Sequence, residues 1–404
     1  ALPISLLALL CCSALAETCP AKHPVVFVHG ILAGMLNGEV HIKGDSPLPS
    51  KCARDVDESR IWVGLKNFNP FKNECVFGYL TPLWNRETKQ AYDIPGVNIT
   101  SPMYGSTYAC DVVDPNWPIC MVTKSFHEFI VRMKKMGYVD GEDMVGASYD
   151  WRYYRYDEYK HKDNWFEKTK NLIKRTAEKY GKVVIVTHSM GGLLTYKLLD
   201  YVGKEFADKY ILRWVGLATP WLGAVKTFAA AFPGNSLGLP VDIKLMRKTA
   251  RRLETLALLF PIGGTERFGE TPVMKIQSSG KQFTADDIQE VIDTVDDEDF
   301  KDNFHYVTQH GMLDLYKKYN WKIPHNVKMN CLMSSGKETI NTVNMATDNY
   351  DGASSLSYGD GDDTVNIQSL EFCKQMGVES VQNVGKVTHA NIVTAKAAVD
   401  EVLR

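Results

Sequence analysis

The feature that most constrains this chain is an apolar run, Val183 to Thr187, that leads into His188-Ser189-Met190-Gly191-Gly192. Five consecutive strand-forming residues predict a short buried strand, and the small residues after Ser189 predict a sharp turn into a helix. Such a turn holds a serine hydroxyl at the edge of a sheet, and only small neighbours avoid a clash there. The pattern is typical of a nucleophile elbow, so Ser189 is the candidate nucleophile.

Thr187 occupies the position at which this pattern usually has its first glycine. A strand, a Ser-Gly turn and a helix without any chemistry is therefore the alternative interpretation. The rest of the chain has to decide between the two.

Length and charge limit the classes of protein to consider. With 404 residues, 45% of them hydrophobic and 23% charged, the chain can bury a large core. Its formal net charge of -2 leaves no excess of positive charge with which to bind a polyanion. The sequence has no zinc-type spacing of Cys and His and no Walker loop, so neither nucleic-acid nor nucleotide binding is expected. The acidic stretch from Asp293 to Asp302 is interpreted as a solvated surface.

The first sixteen residues predict a compartment. They form an apolar run that closes on Ala14-Leu15-Ala16, which is typical of a secretory signal peptide and its cleavage site. This run is short for a membrane span, and no later segment is long and apolar enough to be one. We expect residues 1–16 to be removed and residues 17–404 to form a protein without a transmembrane segment, secreted or in a lysosomal or vacuolar lumen.

Cysteine content agrees with that compartment. The seven cysteines after residue 16 are an odd number, so at least one thiol is free or pairs outside the chain, and spacing does not reveal the pairing. They are Cys19, Cys52, Cys75, Cys110, Cys120, Cys331 and Cys373. The sequon Asn98-Ile99-Thr100 would be glycosylated if it faces the lumen.

Short apolar strands alternate with amphipathic helices in the middle of the chain, a pattern that predicts a parallel sheet covered by helices. The predicted strands are Pro24 to Gly30, Val183 to Thr187, Ile211 to Leu217 and Val327 to Met333. The predicted helices are Ser125 to Met136, Asp163 to Tyr180, Gly191 to Tyr201 and Asn391 to Leu403. Two stretches rich in Pro and Gly, at about 36–108 and about 225–324, predict insertions, the first irregular and the second a cap or lid.

A serine nucleophile needs a base, an acid that orients the base, and donors for the oxyanion. In α/β-hydrolases the order along the chain is serine, acid, histidine. The glycine turn from Asp360 to Val365 carries three candidate acids, and His389 precedes the last predicted helix. Both are expected on loops that follow core strands. His188, next to the serine, cannot fold back to act as its base and is expected to pack beneath the turn.

The acidic turn has two other interpretations. Counted from Asp360, the positions of a calcium loop fall on Asp360, Asp362, Thr364 and Glu371, although Val365 stands where such a loop requires glycine. A structural turn without function is the second. For the oxyanion, the expected donors are the backbone N–H groups of Met190, which follows the nucleophile, and Ile31, in the glycine loop after the first strand.

Several motifs in order resemble one family, the lecithin:cholesterol acyltransferases, which include the lysosomal phospholipase A and acylceramide synthase enzymes. The matching segments are Pro24-Val25-Val26, Ile61-Trp62-Val63-Gly64-Leu65, Pro95-Gly96-Val97, Gly137-Tyr138 to Glu142-Asp143, Tyr149-Asp150-Trp151-Arg152, His188-Ser189-Met190-Gly191, Ala218-Thr219-Pro220-Trp221 and Asp360 to Val365. The resemblance implies an α/β-hydrolase fold with a lipid-binding insertion and a cap insertion. It also implies the triad Ser189, Asp362 and His389.

The same resemblance implies further residue roles. Disulfides would join Cys52 to Cys75 and Cys331 to Cys373. The first would pin a loop on which Trp62 contacts a lipid surface, and the alternative is that Trp62 belongs to the core. Cys110 and Cys120 match no pair of the family.

The function that the resemblance implies is a phospholipid acyl hydrolase and transacylase at a membrane or lipoprotein surface. It would work through an acyl-enzyme, with water or a lipid alcohol as the acceptor and without any metal or other cofactor. A neutral-lipid lipase or carboxylesterase is the first alternative, favoured by His29-Gly30 and by Gly192, at which the family usually has Pro-Gly and Asn. A non-catalytic lipid-binding protein on the same fold is the second.

Overall fold

The computed structural model describes residues 22–62, 64, 73–114, 116, 123–158, 164–236 and 241–403. The predicted signal peptide at residues 1–16 lies outside these ranges, as do Cys19 and Cys120.

The strands of the described residues fall into four sheets. In chain order they are β1 (Val25–Val28), β2 (Leu36–His41), β3 (Asp55–Trp62), β4 (Leu83–Asn85), β5 (Gln90–Tyr92), β6 (Val97–Thr100), β7 (Met144–Gly146), β8 (Val183–His188), β9 (Ile211–Leu217), β10 (Met274–Ile276), β11 (Gln282–Phe283), β12 (Met329–Met333), β13 (Thr339–Met345), β14 (Ser354–Gly359) and β15 (Ser380–Asn383).

Helices connect and cover these strands. In chain order they are α1 (Asn73–Leu80), α2 (Tyr108–Asp111), α3 (His127–Lys135), α4 (Trp165–Tyr180), α5 (Met190–Val202), α6 (Lys204–Tyr210), α7 (Val225–Ala231), α8 (Ile243–Ala250), α9 (Glu254–Leu258), α10 (Gly264–Phe268), α11 (Ile288–Asp293), α12 (Glu298–His310), α13 (Met312–Lys318), α14 (Ile367–Glu371) and α15 (Lys396–Leu403). Within the described ranges, no helix is long and apolar enough to cross a membrane.

The central sheet has six strands in the order β15-β12-β9-β8-β1-β7, and each neighbouring pair is parallel. Every residue of β1 and β8 is buried, because helices cover both faces, and this is why these strands are continuously apolar. The predicted mixed α/β architecture with a mostly parallel sheet is confirmed. Parallel strands bring their carboxyl ends to one edge of the sheet, so the loops after β1 and β8 meet there.

The first insertion is more regular than expected. Residues 36–108 contain an antiparallel sheet in the order β3-β2-β6 and the hairpin of β4 and β5. The prediction of an irregular segment is therefore wrong, although these strands stay outside the central sheet. The alternation of apolar and polar residues that marks a strand was not recognisable in the sequence, because β4 and β5 span only three residues each and the register of β2 against β3 shifts twice.

The second insertion runs through α7 to α13 and also supplies strands. Its β10 pairs with β11 and, in parallel, with β13, which lies beyond the insertion; β14 completes this four-stranded sheet. The expected helix Asn391 to Leu403 is divided. A 3-10 turn, Asn391–Thr394, precedes α15, and Ala395 between them has extended backbone angles.

Candidate active site

Ser189 stands at the turn between β8 and α5 in a conformation that few side chains adopt. Its backbone angles are φ 55° and ψ -132°, and its N–H donates to the carbonyl of Leu217 over 2.9 Å. A positive φ at a residue other than glycine costs free energy and is retained where the surrounding packing enforces it. The nucleophile-elbow geometry predicted for Ser189 is thus present.

The two glycines after the serine allow α5 to pack against its neighbours. A Cβ on Gly191 would lie 2.5 Å from the carbonyl oxygens of both Val28 and His29. One on Gly192 would lie 2.2 Å from the hydroxyl oxygen of Thr219. Both distances are far below a real contact, so only glycine lets the start of this helix approach β1 and the loop after β9.

Ser189, His389 and Asp362 form one continuous chain of hydrogen bonds. His389 Nε2 lies 2.8 Å from Ser189 Oγ, and His389 Nδ1 lies 2.6 Å from Asp362 Oδ2. The other carboxylate oxygen accepts the N–H groups of Thr364, at 3.1 Å, and Val365, at 2.7 Å. Asp362 is fully buried, and 7% of Ser189 and 8% of His389 are exposed. The carboxylate is therefore held rigidly behind the imidazole.

The other two candidate acids point elsewhere. Asp360 Oδ1 accepts the backbone N–H groups of Gly336 and Gly361, at 2.6 and 2.7 Å. Asp363 accepts the hydroxyl of Thr364 at 2.8 Å. Of the three acids in the turn, the structure brings only Asp362 to His389. Asp362 follows β14, a largely exposed strand of the four-stranded sheet, so the expectation that its loop follows a core strand is wrong.

The calcium-loop alternative does not fit this turn. Strand β14 precedes it where a calcium loop has a helix, and the carboxylate of Asp362 is committed to His389 and to backbone N–H groups. Among the described residues, no group of three or more His, Cys, Asp or Glu side chains could hold a metal ion.

His188 contacts the backbone of His389 from behind. Its Nε2 lies 2.9 Å from the carbonyl oxygen of His389, to which it can only donate. Burial is the largest cause that lowers the pKa of His188 to about 3, so the ring is neutral at physiological pH. The expectation that His188 packs beneath the turn agrees with this contact, which fixes the backbone of the His389 loop.

The two expected oxyanion donors adjoin the serine. Met190 is the first residue of α5, and the first N–H groups of a helix have no intrahelical acceptor. Ile31 lines the same cavity as Ser189. A Cβ on Gly30 would lie only 2.7 Å from Ser189 Cβ, so glycine lets the loop after β1 approach the nucleophile.

A cavity of about 340 Å³ opens above Ser189, and its wall is mostly apolar. The described residues that line it include two lysines, Lys124 and Lys226, and no aspartate or glutamate. Lys226 Nζ donates to the Asp363 carbonyl at 3.2 Å and to the Thr364 hydroxyl at 3.0 Å, and burial is the largest cause that lowers its pKa. Sequence reasoning missed this residue; the available signal was a single charge in the apolar segment 222–232.

The structure corrects the expected position of Trp62. Only 2% of this residue is exposed, its indole N–H donates to the Leu32 carbonyl at 2.8 Å, and its ring meets that of Trp151 edge to face at 5.1 Å. These contacts hold it in the interior, so it does not lie on the outer surface of the described structure. It lines the cavity above Ser189 instead.

Four of the five cysteines in the described ranges are paired as the family resemblance implies. Disulfides join Cys52 to Cys75 and Cys331 to Cys373, which confirms both expected pairs. Cys110 is buried as a free thiol, and burial is the largest cause that raises its pKa.

The fold, with the elbow at the carboxyl end of a mostly parallel sheet, is that of the α/β-hydrolases. One chain of a solved structure, "The crystal structure of Tle4-Tli4 complex", superposes with a TM-score of 0.57 at 12% identity and covers 94% of this chain and 97% of its own length. The family model described as Lecithin:cholesterol acyltransferase matches residues 58–335. The chain belongs to the lecithin:cholesterol acyltransferase family.

Two named relatives match over most of their length. Phosphatidylcholine-sterol acyltransferase of Gallus gallus is 28% identical over 375 residues, which are 90% of this chain and 86% of the relative. Lysosomal phospholipase A and acyltransferase of Homo sapiens is 26% identical over 365 residues, 87% of this chain and 82% of the relative.

Proposed function

We propose that this protein is a phospholipid acyl hydrolase and transacylase in which Ser189, His389 and Asp362 form the catalytic triad. The observation that carries the proposal is the hydrogen-bonded chain from Ser189 Oγ through both nitrogens of His389 to Asp362. The named relatives, a phosphatidylcholine-sterol acyltransferase and a lysosomal phospholipase A and acyltransferase, support the substrate class.

The first half-reaction transfers the acyl group to the enzyme. Ser189 Oγ attacks the ester carbonyl carbon while His389 Nε2 takes the hydroxyl proton, and Asp362 stabilises the imidazolium. The N–H groups of Ile31 and Met190 bind the oxyanion of the tetrahedral intermediate. The carbon–oxygen bond to the glycerol then breaks, and the departing alkoxide takes the proton from His389. The products are a lysophospholipid and an acyl ester on Ser189.

The second half-reaction removes that acyl group. His389 takes a proton from the acceptor, the acceptor oxygen attacks the acyl carbonyl, and Ser189 Oγ regains a proton as it leaves. Water as the acceptor releases a fatty acid, whereas a lipid alcohol releases a new ester. Every proton is moved by His389, and none of these steps requires a group beyond the residues named.

Of the two lysines in the cavity, Lys124 is paired with Glu128 at 3.0 Å, and it is Lys226 that favours a phospholipid over a neutral lipid. Both hydrogen bonds of Lys226 go to neutral oxygens, and the carboxylates of Asp363 and Asp362 act on its charge only from beyond ion-pair distance. The phosphate of a bound phospholipid would supply a directly bonded countercharge. A neutral lipid would offer this buried cation no anionic group to bond, which is the argument against the lipase alternative.

Two insertions contribute to the walls of the cavity: Trp62 comes from the first, and Leu256 and Leu259 come from the second. This shared cavity supports residues 17–404 as one α/β-hydrolase domain with a lipid-binding insertion at about 36–108 and a cap insertion at about 225–324.

The two disulfides support an oxidising compartment, a secreted or lysosomal lumen. Asn98 is exposed on β6, which supports glycosylation of the sequon.

The test of the nucleophile is labelling with a fluorophosphonate, which reacts with an activated serine. We expect the wild type to be labelled on Ser189 and Ser189→Ala to remain unlabelled. Equal labelling of both proteins would overturn the mechanism. A non-catalytic lipid-binding protein would show no labelling of either.

The test of the substrate class is competition between radiolabelled phosphatidylcholine and triacylglycerol in mixed micelles, with and without an alcohol acceptor. We expect phosphatidylcholine to be preferred and Lys226→Met to raise its KM roughly tenfold to a hundredfold, since a hydrogen bond to a charged group is lost. Lys226→Arg, which keeps the charge, is the matched control. A preference for triacylglycerol that Lys226→Met leaves unchanged would support the lipase alternative instead.

A further inference from the structure

His29 is a fully buried histidine beside the active site that the triad does not use. It follows β1, and its ring stacks on that of Tyr149, with centroids 4.3 Å apart and planes 4° from parallel. A Cβ on Gly34 would lie 2.2 Å from two ring atoms, so glycine lets the chain cover the ring from another side. The Tyr149 hydroxyl donates to the His29 carbonyl at 2.7 Å. These contacts hold both the ring and the backbone of His29 in one position.

The hydrogen bonds of the ring define its tautomer. His29 Nε2 lies 3.3 Å from the backbone nitrogen of Tyr149. A backbone N–H can only donate, so Nε2 is the unprotonated nitrogen. The proton is then on Nδ1, which lies 2.8 Å from the carbonyl oxygen of Gly30 and donates to it. Burial is the largest cause that lowers the pKa of His29 to about 4, so the neutral ring is the form present near neutral pH.

The bond to Gly30 determines where the next N–H points. The carbonyl of Gly30 and the N–H of Ile31 belong to one peptide group, and in a trans peptide they point in opposite directions. When His29 holds the carbonyl on its side, the N–H of Ile31 is directed to the other side. Gly30 itself lies against Ser189, because a Cβ on it would be 3.2 Å from Ser189 Oγ.

We infer that His29 is a positioning residue that orients the Gly30–Ile31 peptide so that the Ile31 N–H receives the oxyanion. This inference rests on the proposed function and adds a residue role to it: the donor at the Nδ1 position of His29 supports the oxyanion hole. The loop after β1 has a left-handed residue at Leu32, with φ 62°, so its path is not that of an unstrained turn. The Gly30 carbonyl also accepts the Ala33 N–H of the same turn at 3.3 Å, and the bond from His29 Nδ1, at 2.8 Å, is the shorter of the two.

Two substitutions of His29 test the two hydrogen bonds of its ring separately. Asparagine places its amide nitrogen near the Nδ1 position and can donate to the Gly30 carbonyl. Glutamine places its amide oxygen near the Nε2 position and can accept from Tyr149, but it does not reach Gly30. We expect His29→Asn to keep kcat within about fivefold of the wild type. We expect His29→Gln and His29→Phe to lose roughly tenfold to a hundredfold in kcat with KM little changed, since a displaced donor affects the transition state alone.

A general loss of structure would not give this pattern, and two inhibitors distinguish the cases. A trifluoromethyl ketone analogue of the acyl chain forms a tetrahedral adduct on Ser189 and uses the oxyanion hole, whereas an ether analogue of the phospholipid does not. We expect the affinity for the ketone to fall in His29→Gln by the same factor as kcat/KM, while the affinity for the ether is unchanged. His305→Asn, on helix α12, is the matched control for replacing a histidine elsewhere.

The outcomes separate this inference from the proposed function. Equal kcat values in His29→Asn and His29→Gln would overturn the inference while fluorophosphonate labelling of Ser189 still supports the mechanism. Equal losses of affinity for the ketone and the ether would also overturn it, because they would indicate a general structural effect. Absence of labelling in the wild type would overturn the proposed function itself.

Discussion

The indole N–H of Trp214 donates to the hydroxyl oxygen of Thr187 over 2.9 Å, and both residues are fully buried. This contact gives a physical reason for the threonine at the position where a nucleophile elbow usually has glycine. A glycine there would leave the indole N–H of the neighbouring strand without an acceptor, and an unsatisfied buried donor is destabilising.

Thr187→Val is therefore expected to destabilise the fold while the catalytic geometry is retained. The loss of the acceptor should lower the free energy of unfolding by about 1–3 kcal/mol. Thr187→Ser keeps the hydroxyl and serves as the control. Urea denaturation followed by circular dichroism measures the effect, and equal stabilities of the valine and serine variants would contradict the role of the bond.

Asp362→Asn is expected to lower kcat by about three to four orders of magnitude, because the amide cannot stabilise the imidazolium and favours the wrong tautomer of His389. Asp360→Asn is the matched control, since the carboxylate of Asp360 accepts only backbone N–H groups outside the triad. Steady-state hydrolysis of a soluble ester measures both. A larger loss in Asp360→Asn than in Asp362→Asn would contradict the assignment of the acid.

Gly30→Ala is expected to inactivate the enzyme without unfolding it. The added methyl group would lie 2.7 Å from Ser189 Cβ, so either the serine or the loop that carries Ile31 has to move. A displacement of this size costs about a hundredfold in kcat. Ester hydrolysis and the thermal unfolding midpoint should be measured together, and wild-type kcat in a stable variant would show that the loop is not close to the nucleophile in solution.

Stability is expected to fall on acidification below pH 6.5. Burial lowers the pKa of His29 to about 4 and that of His188 to about 3, against an unfolded value near 6.5. Between these values the unfolded chain binds protons that the folded protein does not, so the free energy of unfolding rises with pH, by up to about 1.4 kcal/mol per pH unit for each histidine. This contribution is complete above pH 6.5 and is lost as pH falls toward 4 and 3. Urea denaturation from pH 7 to pH 4 measures the slope, which should decrease in His29→Asn.

Removal of the disulfide between Cys331 and Cys373 is expected to lower the free energy of unfolding by about 2–5 kcal/mol, since the bond closes a long loop in the unfolded chain. The paired Cys331→Ala and Cys373→Ala replacement tests this by thermal unfolding. Cys110→Ala, which removes a buried free thiol, is the control. No difference between the double variant and this control would contradict a stabilising disulfide.

Much of the central architecture could be predicted from local pattern. The strands β8 and β9 agree with their predicted ranges to within one residue, because helices cover both faces of the sheet and leave mostly apolar runs, interrupted in β9 by Arg213. The strands of the insertions were harder to predict from the sequence, since β4 and β5 are three residues long and pair only with each other. Pairing across a short hairpin depends on contacts that have no periodic signal in so few residues.

The features of the candidate site also fall into those that the sequence predicted and those that it did not. The sequence by itself determined the candidates for the nucleophile and the base and a turn of three acids, because an elbow and the order of these groups along the chain are local and linear features. Only the tertiary structure decided that Asp362 faces His389, that Trp62 is buried and that Lys226 reaches the cavity. The same is true of the hydrogen bond from His29 to Gly30. These relationships depend on the directions of side chains and peptide groups in three dimensions, which the packing of distant segments sets.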